Sequence, residues 1–283
     1  MRSTVRGLAR RYAVAWGYLI AVTAASAVYA LLPRADQAAV LRAASTNVHN
    51  LHADPVGCMI ASAFFPAGSA GAWPLLIALA LFGACRVLGN WRTAVVCAAG
   101  HVIGTLVSEG IVGYRVSHGA LPASARFITD VGPSYVVVAA IAVALLFGGW
   151  IVRAAAVLDL AMLAFVGGIF DGLTRLDVAA VGHLTAIVTG ALAGAAAMWQ
   201  LRRSRAARRA ATRAVPAQAG PAQPPSAAAG QARVPAADQA VPAAAGSGDS
   251  GSAGDGPGDP ARAGRPGDEP RDPDQAAQPR PSA

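Results

Sequence analysis

The 283-residue chain is 54% hydrophobic and only 13% charged, with a mean hydropathy of +0.44; soluble globular proteins carry about a quarter charged residues, so the composition excludes an ordinary cytosolic enzyme. All 23 basic side chains are Arg and the net charge is +8. The arginines gather at the ends of apolar runs, which is a pattern of membrane orientation rather than of a nucleic-acid groove.

A bilayer-spanning helix needs about 20 mostly apolar residues. Six stretches of roughly that length follow one another: Tyr12 to Leu32, Ala72 to Gly89, Arg92 to Val112, Pro133 to Gly148, Val152 to Phe170 and Ala179 to Trp199. The first follows Arg2, Arg6, Arg10 and Arg11, but its apolar run exceeds a signal peptide's, so a retained anchor is expected. Thirteen arginines flank the spans on the side of the N-terminus and five on the other, which puts both termini in the cytoplasm of a bacterial inner membrane. The outer connections are then 33–71, 113–132 and 171–178. The reading divides the chain into a cytoplasmic N-terminus (1–11), a membrane domain (12–200) and a disordered cytoplasmic tail (201–283). From Val215 onward the tail is Ala, Pro and Gly with scattered charge, too poor in apolar side chains to order itself.

The three cysteines form no disulfide framework; Cys85 and Cys97 fall within apolar runs, and Cys58 is expected near a surface. Polar side chains inside spans cost free energy and tend to mark function. Here they are His101, Glu109, Ser134, Asp159 and His183. At about 1.5 Å per residue, Ser134 and His183 lie at one depth, within roughly 10 Å of the outer face, on different helices. Gly132-Pro133-Ser134 places a hydroxyl in the first turn of a helix, beside unpaired backbone N–H groups that suit an oxyanion. After His183, Ala186, Gly190 and Gly194 fall on one helix face and admit a close neighbour. Such a neighbour is what a Ser-His dyad requires.

These elements resemble the rhomboid family of intramembrane serine proteases. Gly132-Pro133-Ser134 is similar to the first three positions of the family's Gly-x-Ser-Gly motif, His183 with Ala186 and Gly190 to its His-x-x-Gly-x-x-x-Gly, and Pro55 to Phe65 to the segment before span two. The Asp-Val-Gly-x-Ser-Tyr element, 130–135, resembles that of actinobacterial rhomboid-like membrane proteins. The resemblance implies an all-α polytopic bundle of six transmembrane helices with Ser134 as nucleophile and His183 as general base. Three departures stand out. Tyr135 replaces the second Gly, Gly71-Ala72-Trp73-Pro74-Leu75 lacks the family's oxyanion-binding His-x-x-x-Asn pair, and Val138 replaces a Tyr that supports the His.

The leading expectation is therefore cleavage of a single-span membrane protein near the outer face. The alternative is a non-catalytic rhomboid-like protein that binds transmembrane helices. Either way the partners are a transmembrane segment and the lipid bilayer, not nucleic acid. Gly132 and Pro133 supply backbone support, and Tyr135, Asn47, His49 and Glu109 are accessory candidates, with Asn47 or His49 folding inward as a substitute oxyanion donor. Glu109 is otherwise expected to be a solvated helix end, and His101 and Asp159 a buried structural pair; a small transporter built on that pair would need broken helices or a repeat. His49, His52 and Asp54 are too few for a firm zinc site, and no motif demands a cofactor or metal.

Overall fold

The computed structural model describes Gly7 and residues 9–66 and 71–214. Of the tail expected to be disordered, 201–283, residues 201–214 are instead helical, and 215–283 lie outside the described residues. The described chain is all helical, and six of its helices match the six expected spans. These are α1 (Ala13–Ala30), α5 (Trp73–Leu88), α6 (Asn90–Ser117), α7 (Ser134–Phe147), α8 (Trp150–Ala161) and α9 (Val178–Ala214). Among them α1, α6 and α9 are long and apolar enough to cross a membrane, while α5 and α7 are shorter apolar helices. α8 is extended by a π-helical turn, Met162–Val166, before the chain bends at Gly167 and Gly168.

The connection 33–71, expected on the outer side, holds three helices that the spans did not foretell: α2 (Arg34–Ala44), α3 (Val48–Ala53) and α4 (Pro55–Ser62). Their starts are set by local chemistry. The Asn47 side chain accepts from the Asn50 N–H, and the Asp54 side chain accepts from the Gly57 N–H ahead of Pro55 in the first turn.

α7 is the centre of the bundle. Every residue from Tyr135 to Ala144 is buried, as expected of a helix that is apolar on all sides. α5, α6, α8 and α9 pack around it. Outward-facing side chains of the surrounding helices are themselves apolar; Phe165, Val166, Leu192, Leu106 and Val157 are all exposed, which suits a surface whose solvent is lipid. Exposed Trp91 and Trp150 open α6 and α8 at the end remote from Ser134, where aromatic side chains mark a membrane interface. Trp199 lies 16 residues beyond His183, about 24 Å along α9. The Arg203 guanidinium sits over its ring at 3.9 Å.

Small residues set the approach of α9 to α7. A Cβ on Gly190 would lie 2.5 Å from the Ala139 carbonyl oxygen and 2.7 Å from its Cα, and one on Gly194 would lie 2.9 Å from Val143. Ala186 is fully buried in the same seam. The small-residue face after His183 thus does what its spacing predicted.

Candidate functional site

Ser134 is the first residue of α7. The first α-helical bond of α7 runs from the Val137 N–H to the Pro133 carbonyl, so the N–H groups of Ser134, Tyr135 and Val136 precede the helical ladder. Gly132 has φ of +148°, a backbone state that side chains other than hydrogen rarely allow. Its N–H donates to the Ser62 carbonyl at 2.9 Å, tying the start of α7 to the end of α4. Gly132 therefore supports the site structurally, and its N–H is already engaged.

His183 lies in the second turn of α9 and is 5% exposed. Its Nδ1 is 3.1 Å from the Ile169 carbonyl oxygen. A carbonyl only accepts, so Nδ1 carries the proton and Nε2 the lone pair. Nε2 is buried and has no hydrogen-bond partner among the described residues. Ser134 is half-buried at the start of α7 and is not hydrogen-bonded to His183 Nε2. The side chain that meets the imidazole is the next one along. The Tyr135 ring packs edge-on to it, with centroids 4.9 Å apart and planes at 80°.

The family described as rhomboid-like protein matches residues 9–206, which hold all six spans and both Ser134 and His183. The chain belongs to the rhomboid-like protein family. Comparison with curated proteins and with solved structures gives no match.

Against the rhomboid pattern, the position after the serine is the informative departure. Tyr135 is 3% exposed, and its hydroxyl donates to Asp130 Oδ2 at 3.0 Å, with the Val178 carbonyl 3.4 Å away. It fits because α9 carries glycine opposite it: a Cβ on Gly182 would collide with the hydroxyl, while Gly104 of α6 borders the ring at ordinary contact distance. Asp130 is anchored in turn. Its N–H donates to Ser45 Oγ at 2.9 Å, and its carbonyl accepts from the Thr46 N–H at 2.9 Å and the Thr46 hydroxyl at 3.1 Å. The sequence reading passed over Ser45 and Thr46, whose signal was only two hydroxyls beside Asn47.

Burial pushes the Asp130 carboxyl up from 3.8 to about 6, against the opposing pull of its hydrogen bonds with Tyr135 and Thr46. The folded protein then holds this proton more tightly than the unfolded chain. The contribution to stability is complete below about pH 4 and is lost as pH rises through about 6. Melting temperatures in detergent at pH 4 to 7 are expected to fall more steeply for wild type than for Asp130→Asn; parallel curves would contradict this.

The accessory candidates divide. Asn47 is buried as expected, but its side chain caps α3 and donates to Ser45 Oγ at 3.2 Å. It is committed to the outer segment rather than offered as an oxyanion donor. His49 is exposed and stacks on Phe127 with centroids 4.8 Å apart, so it does not fold inward. Asn47→Ala is expected to cost about 1 kcal/mol through loss of the cap, measurable as a lower melting temperature, whereas His49→Ala leaves it unchanged.

Glu109 is not a solvated helix end. It is 3% exposed, because α3 folds over this part of α6, and neither carboxylate oxygen has a hydrogen-bond partner among the described residues. It borders a cavity of about 300 Å³ lined also by Val48, Leu51 and His52. His101 and Asp159 do not pair. His101 Nε2 donates to the Met59 carbonyl at 2.9 Å and lies 3.2 Å from Ser62 Oγ, so it fastens α6 to α4. Asp159 is fully buried on α8, and neither of its carboxylate oxygens has a hydrogen-bond partner among the described residues. Cys58, expected near a surface, is buried like Cys85 and Cys97, and all three are free thiols. No group of three or more metal-ligating side chains is found among the described residues.

Proposed function

We propose that this rhomboid-like protein is an intramembrane serine protease that cleaves single-span membrane proteins near the outer face of a bacterial inner membrane. The observation that carries the reading is the state of His183. The Ile169 carbonyl holds its proton on Nδ1, and this leaves the Nε2 lone pair without a hydrogen-bond partner among the described residues, on a helix packed against the one that Ser134 begins. That is the tautomer a general base needs.

In the cycle Ser134 Oγ attacks the peptide carbonyl carbon as its proton passes to His183 Nε2. The C–N bond then breaks, with that proton going to the departing amine, and water hydrolyses the acyl-enzyme by the same base. N–H groups at the start of α7 face the developing oxyanion, in the role of the absent His-x-x-x-Asn pair. The Ser134 hydroxyl has to close on Nε2 when substrate binds, as catalytic hydrogen bonds commonly tighten only in the substrate complex. The substrate is a transmembrane segment reaching the site sideways from the bilayer. Both termini face the cytoplasm, on the side favoured by the arginines.

The packing of Tyr135 against His183 favours a second reading. A ring that covers the base, with no side-chain oxyanion donor beside it, suits a protein that binds transmembrane helices without cutting them. Proteoliposomes holding the full-length protein and a panel of single-span proteins separate the two. The protease reading expects fragments whose new termini map within two helical turns of the outer face. Co-purification of intact clients, with no fragments, would sink it in favour of binding.

A further inference from the structure

We propose that Tyr135 is a positioning residue for His183, with its ring fixing the imidazole and its hydroxyl tethered to the Asp130 carboxylate. The proposal rests on the reading of His183 as the general base. The single hydrogen bond from Nδ1 to the Ile169 carbonyl leaves the imidazole free to rock about that line. A second ring packed across it at 80° removes this freedom. The rocking matters because it would swing Nε2, the atom that has to meet the Ser134 hydroxyl.

The tyrosine is itself held at both ends. Its ring occupies the slot opposite Gly104 and Gly182, where a methyl group at 182 would displace the hydroxyl. That hydroxyl has one proton, and it lies closer to Asp130 Oδ2, at 3.0 Å, than to the Val178 carbonyl, at 3.4 Å. Asp130 is pinned to the outer segment by Ser45 and Thr46. A continuous set of contacts thus runs from the outer connection through Asp130 and Tyr135 to the base.

The tether is pH-sensitive. An ionised carboxylate accepts the phenolic proton more strongly than a neutral acid does, and burial places this ionisation at about 6. The titratable groups acting on Asp130 are Glu109 from α6 and Tyr135 from α7. His183 of α9 and His101 of α6 stand behind the tyrosine ring.

The test uses the full-length, histidine-labelled protein in detergent, with the His183 Nδ1 proton assigned by its loss in His183→Ala. Its exchange with solvent is compared in wild type, Tyr135→Phe and Asp130→Asn, both close in shape to the native side chains. At pH 7 the variants are expected to exchange about tenfold faster than wild type, as loss of a hydrogen bond to a charged group allows. The ratio should approach one below pH 5, where the wild-type tether is also released. A ratio of one at pH 7 in both variants would overturn the proposal.

Serine labelling by a fluorophosphonate, run in parallel, keeps the two readings apart. A tenfold exchange ratio with wild type that stays unlabelled beside an active rhomboid shows that Tyr135 holds the imidazole, but removes the protease reading and with it the catalytic purpose of the contact. Equal labelling of all three proteins with an exchange ratio of one removes the positioning role and leaves catalysis standing.

Discussion

Ser134→Ala is expected to lower the rate of substrate cleavage by at least about 10⁴-fold, and His183→Ala by a similar factor. Members of a nucleophile-base pair act as a unit, so removing either leaves only the catalysis supplied by oxyanion donors and binding. The double variant should be little worse than either single one. Initial rates in proteoliposomes measure this directly, and melting temperatures near the wild-type value show that the folds are intact. Ser134 is half-buried at a helix start, so its truncation has little structural cost. A Ser134→Ala protein that cleaves at the wild-type rate would rule out the serine mechanism.

Gly190→Ala is expected to destabilise the bundle at the seam between α7 and α9. The added carbon would meet Ala139 backbone atoms at 2.5 Å to 3.0 Å. Backbone of a fully buried helix cannot turn aside as a side chain can, so α9 has to move off α7. Overpacking of this kind costs about 1–3 kcal/mol. For a chain of this size that is a fall in melting temperature of several degrees, at roughly 2–4 °C per kcal/mol. Gly110→Ala on α6 is the control. A Cβ there has nothing within 4 Å, so it should be neutral or slightly stabilising through helix propensity. Equal effects of the two substitutions would mean that the α7–α9 seam is not as close as described. His183 rides on the same seam, so Gly190→Ala should also weaken any cleavage.

The bundle was legible because a membrane leaves the chain little choice. Apolar runs must become helices that satisfy their own backbone, and the six expected spans overlap α1, α5, α6, α7, α8 and α9, although α8 ends at Ala161, short of the expected Phe170, and α9 runs on past Trp199 to Ala214. The outer segment was not legible as structure, although Asn47 and the Asp54-Pro55 pair are ordinary helix-start signals. They sit in a stretch without the long apolar periodicity by which helices are recognised.

Depth along a helix could be read from residue counts, and rotation about its axis could not. Ser134 and Tyr135 differ by about 100° around α7, and only the fold shows that the tyrosine is the one turned onto His183. The same ambiguity produced the expected pairing of His101 with Asp159. They lie at similar depth, but His101 turns to the Met59 carbonyl instead. Glu109 looked solvated by its place near a helix end, but it is buried because α3, 56 to 61 residues upstream, folds back over it.

The most direct test of the account is whether Ser134 is an activated nucleophile. The full-length protein in detergent is treated with a fluorophosphonate beside a proteolytically active rhomboid, then digested, and the modified peptide is identified by mass spectrometry. The account predicts one adduct, on Ser134, lost in His183→Ala. Absence of an adduct on Ser134 under conditions that label the active rhomboid, or an adduct that persists in His183→Ala, would contradict it.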